Sequence, residues 1–134
     1  MRKIIFIISL CLVFSVSYGQ AKLFTTRDSL NTFCDKIMQT IAGRKFSEGI
    51  QPFRQKSVMD TVTINGIDKS LVEQMAHLQP YYKKLVAYEF VDENTVNHSV
   101  VRRRYLLKFE NYFLSFDFIL YNNGTACTVS NFNS

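Results

Sequence analysis

Residues 101–120 have the sequence VRRRYLLKFENYFLSFDFIL, and this stretch decides the fold. Two runs rich in aromatic and aliphatic residues flank Glu110-Asn111, which predicts two strands joined by a tight turn. If the turn has two residues, Phe109 faces Tyr112 and the register of the hairpin is fixed. One face is then almost wholly apolar while the other is mixed, as is typical of an antiparallel sheet with one buried side.

The chain from Lys84 onward alternates in the same way and is rich in Val, Tyr, Phe and Thr. It predicts four strands, at about Lys84–Val91, His98–Phe109, Tyr112–Tyr121 and Thr125–Phe132. The remaining connections fall on Asp92–Asn97 and Asn122–Gly124. A two-residue turn in the last hairpin places Cys127 and Val129 on the apolar face, whereas a three-residue turn places them on the opposite face.

The chain before Lys84 carries apolar residues at helical spacing instead. A helix is expected around residues 30–41, because apolar side chains recur there three or four positions apart. Thr26 or Asp28 can cap its start, and Gly43 can end it. A short helical piece follows, closed near Pro52 and built on three apolar residues, Phe46, Ile50 and Phe53.

A further helix is expected after Asn65-Gly66, which we interpret as a break in the chain. Asp68 caps its start, and Pro80 stops or kinks it near Gln79. Its apolar positions are Ile67, Leu71, Met75 and Leu78. Helices followed by a meander of strands predict an α+β fold, with the N-terminal helices packed on a curved four-stranded antiparallel sheet.

The N-terminus has the pattern of a secretory signal peptide over residues 1–19. Arg2 and Lys3 are followed by an apolar run, and small residues at Ser17 and Gly19 indicate cleavage before Gln20. Residues 20–134 then form a single α+β domain that is periplasmic or extracellular. No other stretch of the sequence is apolar enough to predict a membrane span.

Charge excludes one class of partner. Loss of Arg2 and Lys3 reduces the 16 basic residues to 14, which against 11 acidic residues leaves a net charge of +3. A charge of this size is ordinary for a small domain, and no nucleic-acid partner is expected. The sequence also predicts no cofactor, and its two histidines, His77 and His98, lack the spacing of a metal site.

Two segments resemble strands of the nuclear-transport-factor-like, cystatin-like superfamily, including small secreted bacterial SnoaL-like members of unknown function. Tyr82–Val91 (YKKLVAYEFV) resembles their first long strand, and Tyr105–Asn133 resembles their final three strands, with YFLSFDF at residues 112–118 and VSNFN at residues 129–133. The resemblance implies a cone-like, cystatin-like fold. Some members of this superfamily are isomerases or dehydratases and many others bind ligands, but their catalytic Asp and Tyr residues have no counterpart that can be placed here.

Arg103 is the most unusual residue in the pattern. The register of the hairpin places it on the apolar face, where an unpaired guanidinium is very costly to bury. Three arrangements relieve this cost: a bulge turns the side chain outward, the side chain reaches the rim of the cone, or it binds an acid or a ligand anion. In the last case Arg103, with Tyr88 and Tyr105, forms a candidate ligand-binding site.

Two further pairs follow from the same register. Arg104 and Asp117 face each other on the outer side of the sheet, where we expect a cross-strand ion pair. Cys34 lies on the apolar stripe of the first helix and Cys127 on the last strand, so the two can form a disulfide in an exported protein. The alternative is a pair of buried free thiols, which pack as small apolar side chains.

These observations leave two main classes of function open, beside a purely structural role in a larger envelope assembly. The chain is expected to be an exported, non-catalytic module that binds a small molecule or an envelope protein. The alternative is a small pocket enzyme of the isomerase or dehydratase type, which needs a titratable group placed against its substrate. An enclosed pocket with a converging acid favours the enzyme, whereas a filled interior with an exposed apolar patch favours a protein partner.

Overall fold

The computed structural model describes residues 24–134, which form four helices and one sheet of four strands. The predicted signal peptide and its cleavage site lie outside the described residues. None of the helices described here is long and apolar enough to cross a membrane. In chain order the elements are α1 (Arg27–Ala42), α2 (Phe46–Ile50), α3 (Phe53–Lys56), α4 (Thr61–Tyr82), β1 (Leu85–Thr95), β2 (Val100–Phe109), β3 (Phe113–Asn122) and β4 (Cys127–Asn133).

The four strands form an antiparallel meander in the order β1-β2-β3-β4, so the α+β prediction is confirmed. The sheet is open, with β1 and β4 as its edges. The register between β2 and β3 is the one that the Glu110-Asn111 turn predicts, and it places Arg103 opposite Phe118 and Arg104 opposite Asp117. Alternation along β2 buries every second residue from Arg103 to Phe109.

The last hairpin differs from both predicted turns. Its strands close on the pair Asn122 and Cys127, so the connection has four residues, 123–126. A connection of four residues gives β4 the same facing as a connection of two, because both lengths are even. Cys127 and Val129 are therefore buried on the helix-covered face. A bulge at Ser130 then moves the pairing by one residue, so that Asn131 lies opposite Ile119.

The first strand is longer than predicted. It continues past Val91 to Thr95, and the pairing shifts between Phe90 and Asp92. The bulge interrupts the regular alternation of inward and outward side chains along β1. One extra residue moves each later side chain of the strand to the opposite face of the sheet. As a result Glu93 lies opposite Arg103 on the buried face, in a segment that the sequence had assigned to a connection.

Helix α1 forms as the spacing predicts, with the side chain of Thr26 capping the N–H of Ser29. The break predicted at Asn65-Gly66 is wrong, since α4 runs through both residues without interruption. Asp60, not Asp68, caps α4, and its carboxylate accepts a hydrogen bond from the N–H of Thr63. Ile64 explains the continuity, because this buried residue directly precedes the supposed break and lies on the same buried stripe as Leu71 and Met75.

The end of α4 also lies beyond the predicted stop. Pro80 is inside the helix, and the last helical residue is Tyr82. Proline removes one backbone donor, which a final turn tolerates better than a helix interior does. Lys83 then ends the helix in a left-handed conformation with φ of 63°, and its N–H still donates to the carbonyl of Gln79.

The core lies between α1 and the inner face of the sheet. Helix α1 contacts β1, β2 and β4, while α4 packs on α2 and α3. Phe53 lies at the centre, with its ring 5.3 Å from that of Phe132 and 6.1 Å from that of Phe118. The largest fully buried side chains are Tyr105, Phe53, Phe116, Phe118, Leu30, Ile37, Met38, Ile41, Ile50, Ile64, Leu107 and Leu120.

Candidate functional site

Arg103 is buried in the core, on the face that the helices cover. Its guanidinium uses all three of its nitrogens. Nε donates to the hydroxyl of Tyr105 at 2.6 Å, Nη1 donates to Glu93 at 3.0 Å, and Nη2 donates to Asp35 at 3.2 Å. The guanidinium carbon also lies 4.2 Å from the centre of the Phe90 ring, within the range of a cation–π contact.

The carboxylates that face Arg103 are held by further contacts. Arg27 on α1 pairs with Glu93 at 2.6 Å, and the hydroxyl of Tyr105 donates to the same Asp35 oxygen that accepts from Arg103. We call these five residues the Arg103 network: Arg27, Asp35, Glu93, Arg103 and Tyr105. Two arginines and two carboxylates balance in charge, so the network ties α1 to β1 and β2 without an unpaired ion.

The environment shifts the pKa values of Glu93, Tyr105 and the neighbouring Cys34. Burial raises the pKa of Glu93, but the hydrogen bonds from Arg27 and Arg103 outweigh it and hold the pKa below its ordinary value. Burial, and then the hydrogen bond to Asp35, raises the pKa of the Tyr105 hydroxyl well above its usual range. Burial also raises the pKa of the neighbouring Cys34 thiol to about 12. A base or nucleophile poised near pH 7 needs the opposite shifts.

Of the three arrangements that relieve the burial of Arg103, the structure contains the third, with protein acids in place of a ligand anion. The sequence did not identify these acids. Asp35 is 68 residues away on another element, and Glu93 faces Arg103 only because of the bulge in β1. The one available signal was Arg103 itself, since a buried guanidinium requires an acid from somewhere in the chain.

Tyr105 and Tyr88, the other two residues of the candidate ligand site, lie in the core. Tyr105 is fully buried, and Tyr88 is half-buried with its ring 6.3 Å from that of Tyr105. A fully buried side chain borders no void that could hold a substrate. Tyr105 contacts both Arg103 and Tyr88, and Arg103 and Tyr105 share the face that the hairpin register predicts, but these contacts are with protein.

Arg104 and Asp117 form the ion pair expected on the outer side of the sheet. Nε of Arg104 donates to one carboxylate oxygen at 2.8 Å, and Nη2 donates to the other at 3.0 Å. The hydrogen bonds to Asp117 raise the pKa of Arg104. This bidentate geometry couples β2 to β3 and leaves neither group free for chemistry.

The possible disulfide is absent, because Cys34 and Cys127 are both buried free thiols. The two cysteines lie in different surroundings. Cys34 is close to the charges of Arg103 and Asp35, whereas Cys127 begins β4 and exchanges backbone hydrogen bonds with Phe24. They therefore follow the alternative interpretation and pack as small apolar side chains.

A groove of about 410 Å³ lies between α4 and the end of β4. We call it the α4–β4 groove. Its lining has an apolar part and a part made of hydroxyls and amides, and none of these side chains is titratable near neutral pH. The lining residues are Thr63, Gly66, Ile67, Ser70, Leu71, Asn131, Phe132, Asn133 and Ser134. A smaller groove of about 290 Å³ lies beside α1, and neither groove is lined by a residue of the Arg103 network.

One end of the molecule carries exposed aromatic side chains. The ring of Tyr112 is stacked on that of Tyr82 at 4.4 Å and on that of Phe113 at 5.6 Å. Tyr112 is 51% exposed and Phe113 is 54% exposed. We call this surface the aromatic end; it comprises Tyr81, Tyr82, Lys83, Lys84, Tyr112 and Phe113.

Backbone contacts hold the aromatic end in place. The N–H of Glu110 in the β2–β3 turn donates to the carbonyl of Lys84 at 3.0 Å, so the turn is attached to the chain that leaves α4. Lys83 and Lys84 are exposed, and neither forms an ion pair with another residue of the described chain. The surface is thus aromatic, basic and fixed by its scaffold.

Within residues 24–134 no group of three His, Cys, Asp or Glu side chains is arranged to hold a metal ion. No known protein family, curated protein or solved structure matches this chain.

Proposed function

We propose that this protein is an exported, non-catalytic binding module that docks a protein partner through its aromatic end. The observation that carries the proposal is the stack of Tyr82 on the exposed rings of Tyr112 and Phe113, beside two lysines that form no ion pair within residues 24–134. Monomeric proteins rarely leave contiguous aromatic surface in water unless that surface is used for binding. Tyrosine is also one of the residue types enriched at the few positions that dominate the binding energy of protein interfaces.

The interior supports binding at the surface rather than inside. The face of the sheet that would line a ligand cone is filled by side chains such as Tyr105, Phe116 and Phe118, all fully buried. Arg103 is satisfied by protein carboxylates and needs no anion. We therefore assign Arg103, Tyr88 and Tyr105 a structural role, and an isomerase or dehydratase mechanism lacks an accessible acid or base among them.

The aromatic end suits a partner that is apolar at its centre and acidic at its rim. Stacked rings held by the β2–β3 turn lose little side-chain freedom on binding, so more of the buried area becomes affinity. Lys83 and Lys84 can approach carboxylates without first breaking an ion pair of their own. Opposite charges at the rim speed association and fix the orientation of the partner.

Export and ancestry are part of the same proposal. The pattern of residues 1–19 supports removal of a signal peptide before Gln20. The proposal includes a relationship to the nuclear-transport-factor-like, cystatin-like superfamily and a cone-like curvature of the sheet, both of which rest on the sequence resemblance of Tyr82–Val91 and Tyr105–Asn133. Many members of that superfamily bind ligands or proteins without catalysis, and fold alone decides no activity.

The test uses quantitative capture with matched baits. The wild type, the double variant Tyr112→Ser/Phe113→Ser and the control Tyr121→Ser are immobilised and exposed to the exported fraction of the source cells. Tyr121 is 43% exposed near the opposite end of β3, so it controls for loss of an aromatic side chain on the same strand. We expect one set of proteins that the wild type and the control retain and the double variant loses.

A second double variant tests the role of charge. Lys83→Glu/Lys84→Glu should lose the same proteins, since it reverses the charge at the rim of the surface. Identical captures by all four baits would contradict docking at the aromatic end.

Export is tested separately. N-terminal sequencing of the secreted protein should start at Gln20, and material that begins at Met1 would contradict cleavage.

A further inference from the structure

Helix α4 contains a glycine that its own packing does not explain. Gly66 lies in the interior of a 22-residue helix, where glycine costs about 1 kcal/mol relative to alanine. Close contact with a neighbouring element is the usual reason to accept this cost. A Cβ added at Gly66, however, meets no atom within 4 Å, so a larger residue would fit without a clash in the described structure.

Gly49, by contrast, lies where two helices are in close contact. A Cβ added at Gly49 would lie 2.7 Å from Cγ1 of Ile41, because α2 approaches α1 closely there. That glycine is required by packing. Gly66 instead lines the α4–β4 groove at an exposed position, and an added Cβ there has open space around it. A side chain at this position would occupy space beside the lining that glycine leaves open.

The groove offers unused hydrogen-bonding groups. In the described chain Ser70 and Asn133 make no side-chain hydrogen bond, and Asn131 uses only its Oδ1 atom, which accepts from the N–H of Phe132 at 2.8 Å. Ser70 contributes a hydroxyl, which both donates and accepts, and the amides of Asn131 and Asn133 contribute donors and an acceptor. Ile67, Leu71 and Phe132 supply an apolar surface between them.

This composition points to one chemical class. The lining has no Lys, Arg, His, Asp or Glu side chain, so no lining side chain offers a charge opposite to that of a charged ligand. Hydroxyl groups on a ligand match hydroxyls and amides, while its C–H faces match the apolar surface. The volume of about 410 Å³ equals that of about 14 water molecules in the liquid, which suits a ligand of similar heavy-atom number.

From these observations we propose that the α4–β4 groove binds a small uncharged polyhydroxylated molecule, such as a mono- or disaccharide, and that Gly66 keeps the site open. An added peptide strand fits less well at this edge. The N–H of Phe132 already donates to the side chain of Asn131, which removes one backbone donor from pairing with such a strand. This site is separate from the aromatic end and does not depend on its role.

The experiment follows amide chemical shifts of the ¹⁵N-labelled protein during titration with glucose, N-acetylglucosamine, maltose and cellobiose, each up to about 50 mM, a range that detects weak binding. At least one sugar should produce saturable shifts that are confined to residues 63–71 and 131–134. Gluconate and glucosamine serve as charged analogues of the same size, and we expect at least fivefold weaker shifts for them at equal concentration.

Two variants separate the site from general effects on the helix. Gly66→Leu fills the groove and should abolish the shifts, while Ala76→Leu adds the same kind of side chain to an exposed position of α4 outside the lining and should preserve them. Both variants are first checked for an unchanged fold from their spectra. Absence of saturable shifts with every sugar, shifts outside the groove, or binding retained in Gly66→Leu would each overturn the proposal.

Discussion

Replacement of Arg103 by leucine tests whether the Arg103 network stabilises the fold. The substitution removes two charge-assisted hydrogen bonds to carboxylates, one hydrogen bond to Tyr105 and the contact with the Phe90 ring. A charge-assisted hydrogen bond contributes about 1.5–3 kcal/mol when fully buried. Here the side chains of Asp35 and Glu93 are 46% and 30% exposed, so water can replace part of each bond.

The expected loss in the free energy of unfolding is therefore about 2–3 kcal/mol, after about 1 kcal/mol is regained from burial of the leucine side chain. Arg103→Lys keeps the charge but cannot bond three partners at once with a planar group, and it should lose about 1–2 kcal/mol. Urea unfolding followed by far-UV circular dichroism measures both values, and an unchanged m-value confirms that the same surface is exposed.

A double-mutant cycle assigns the loss to the network. Asp35→Asn and Arg103→Leu should show a coupling free energy of about 1 kcal/mol or more, because the two side chains share a hydrogen bond. Arg104→Leu is a matched control on the outer face of the same strand, and it should show no coupling to Asp35. A leucine variant as stable as the wild type, or an absence of coupling, would refute the structural role of Arg103.

Three further predictions concern acid stability, thiol reactivity and close packing. The folded pKa of Glu93 lies below 4.5, so the stability it contributes is complete above that pH and is lost as the pH falls through the folded pKa. The unfolding free energies of the wild type and Glu93→Gln should thus converge below pH 4.5, and parallel curves would contradict this. Cys34 should resist iodoacetamide at pH 8 in the native protein and react in urea, as measured by mass spectrometry, because burial holds its pKa at about 12. Gly49→Ala should destabilise the protein by about 1–3 kcal/mol in urea unfolding, since the added methyl group meets Ile41, and equal stability would show that α1 and α2 can separate freely.

The β2–β3 hairpin was predictable in register because both strands are regular and the turn is short. Every pair from Val100 and Tyr121 to Lys108 and Phe113 follows from the Glu110-Asn111 turn. The facing of β4 was left open between a two-residue and a three-residue turn, and the observed four-residue turn gives the same facing as the two-residue one because both numbers are even. The alternation of apolar and polar residues thus predicts which side chains share a face of the sheet wherever the strand has no bulge.

The extent of β1 and the start of α4 were not predictable by the same reasoning. A bulge at Val91 reverses the facing of the strand, and no local composition distinguishes it from a strand end. Asn-Gly is a strong turn signal between strands, but in α4 the burial of Ile64, Leu71 and Met75 along one helical stripe overrides it. In α4 the burial of apolar side chains against other elements thus outweighs the local turn preference of Asn-Gly.

The candidate site shows which kind of irregularity carries functional information. Arg103 and Gly66 both violate a local rule, the first by burying a charge and the second by placing glycine inside a long helix. The structure supplies Arg103 with Asp35 and Glu93, so the irregularity has an internal compensation and a structural role follows. For Gly66 no atom beyond its own stretch of helix lies within 4 Å of an added Cβ, so no packing contact in the described chain accounts for the glycine. A glycine that costs stability and borders an open groove is therefore better evidence for a ligand than a buried arginine whose partners are all protein.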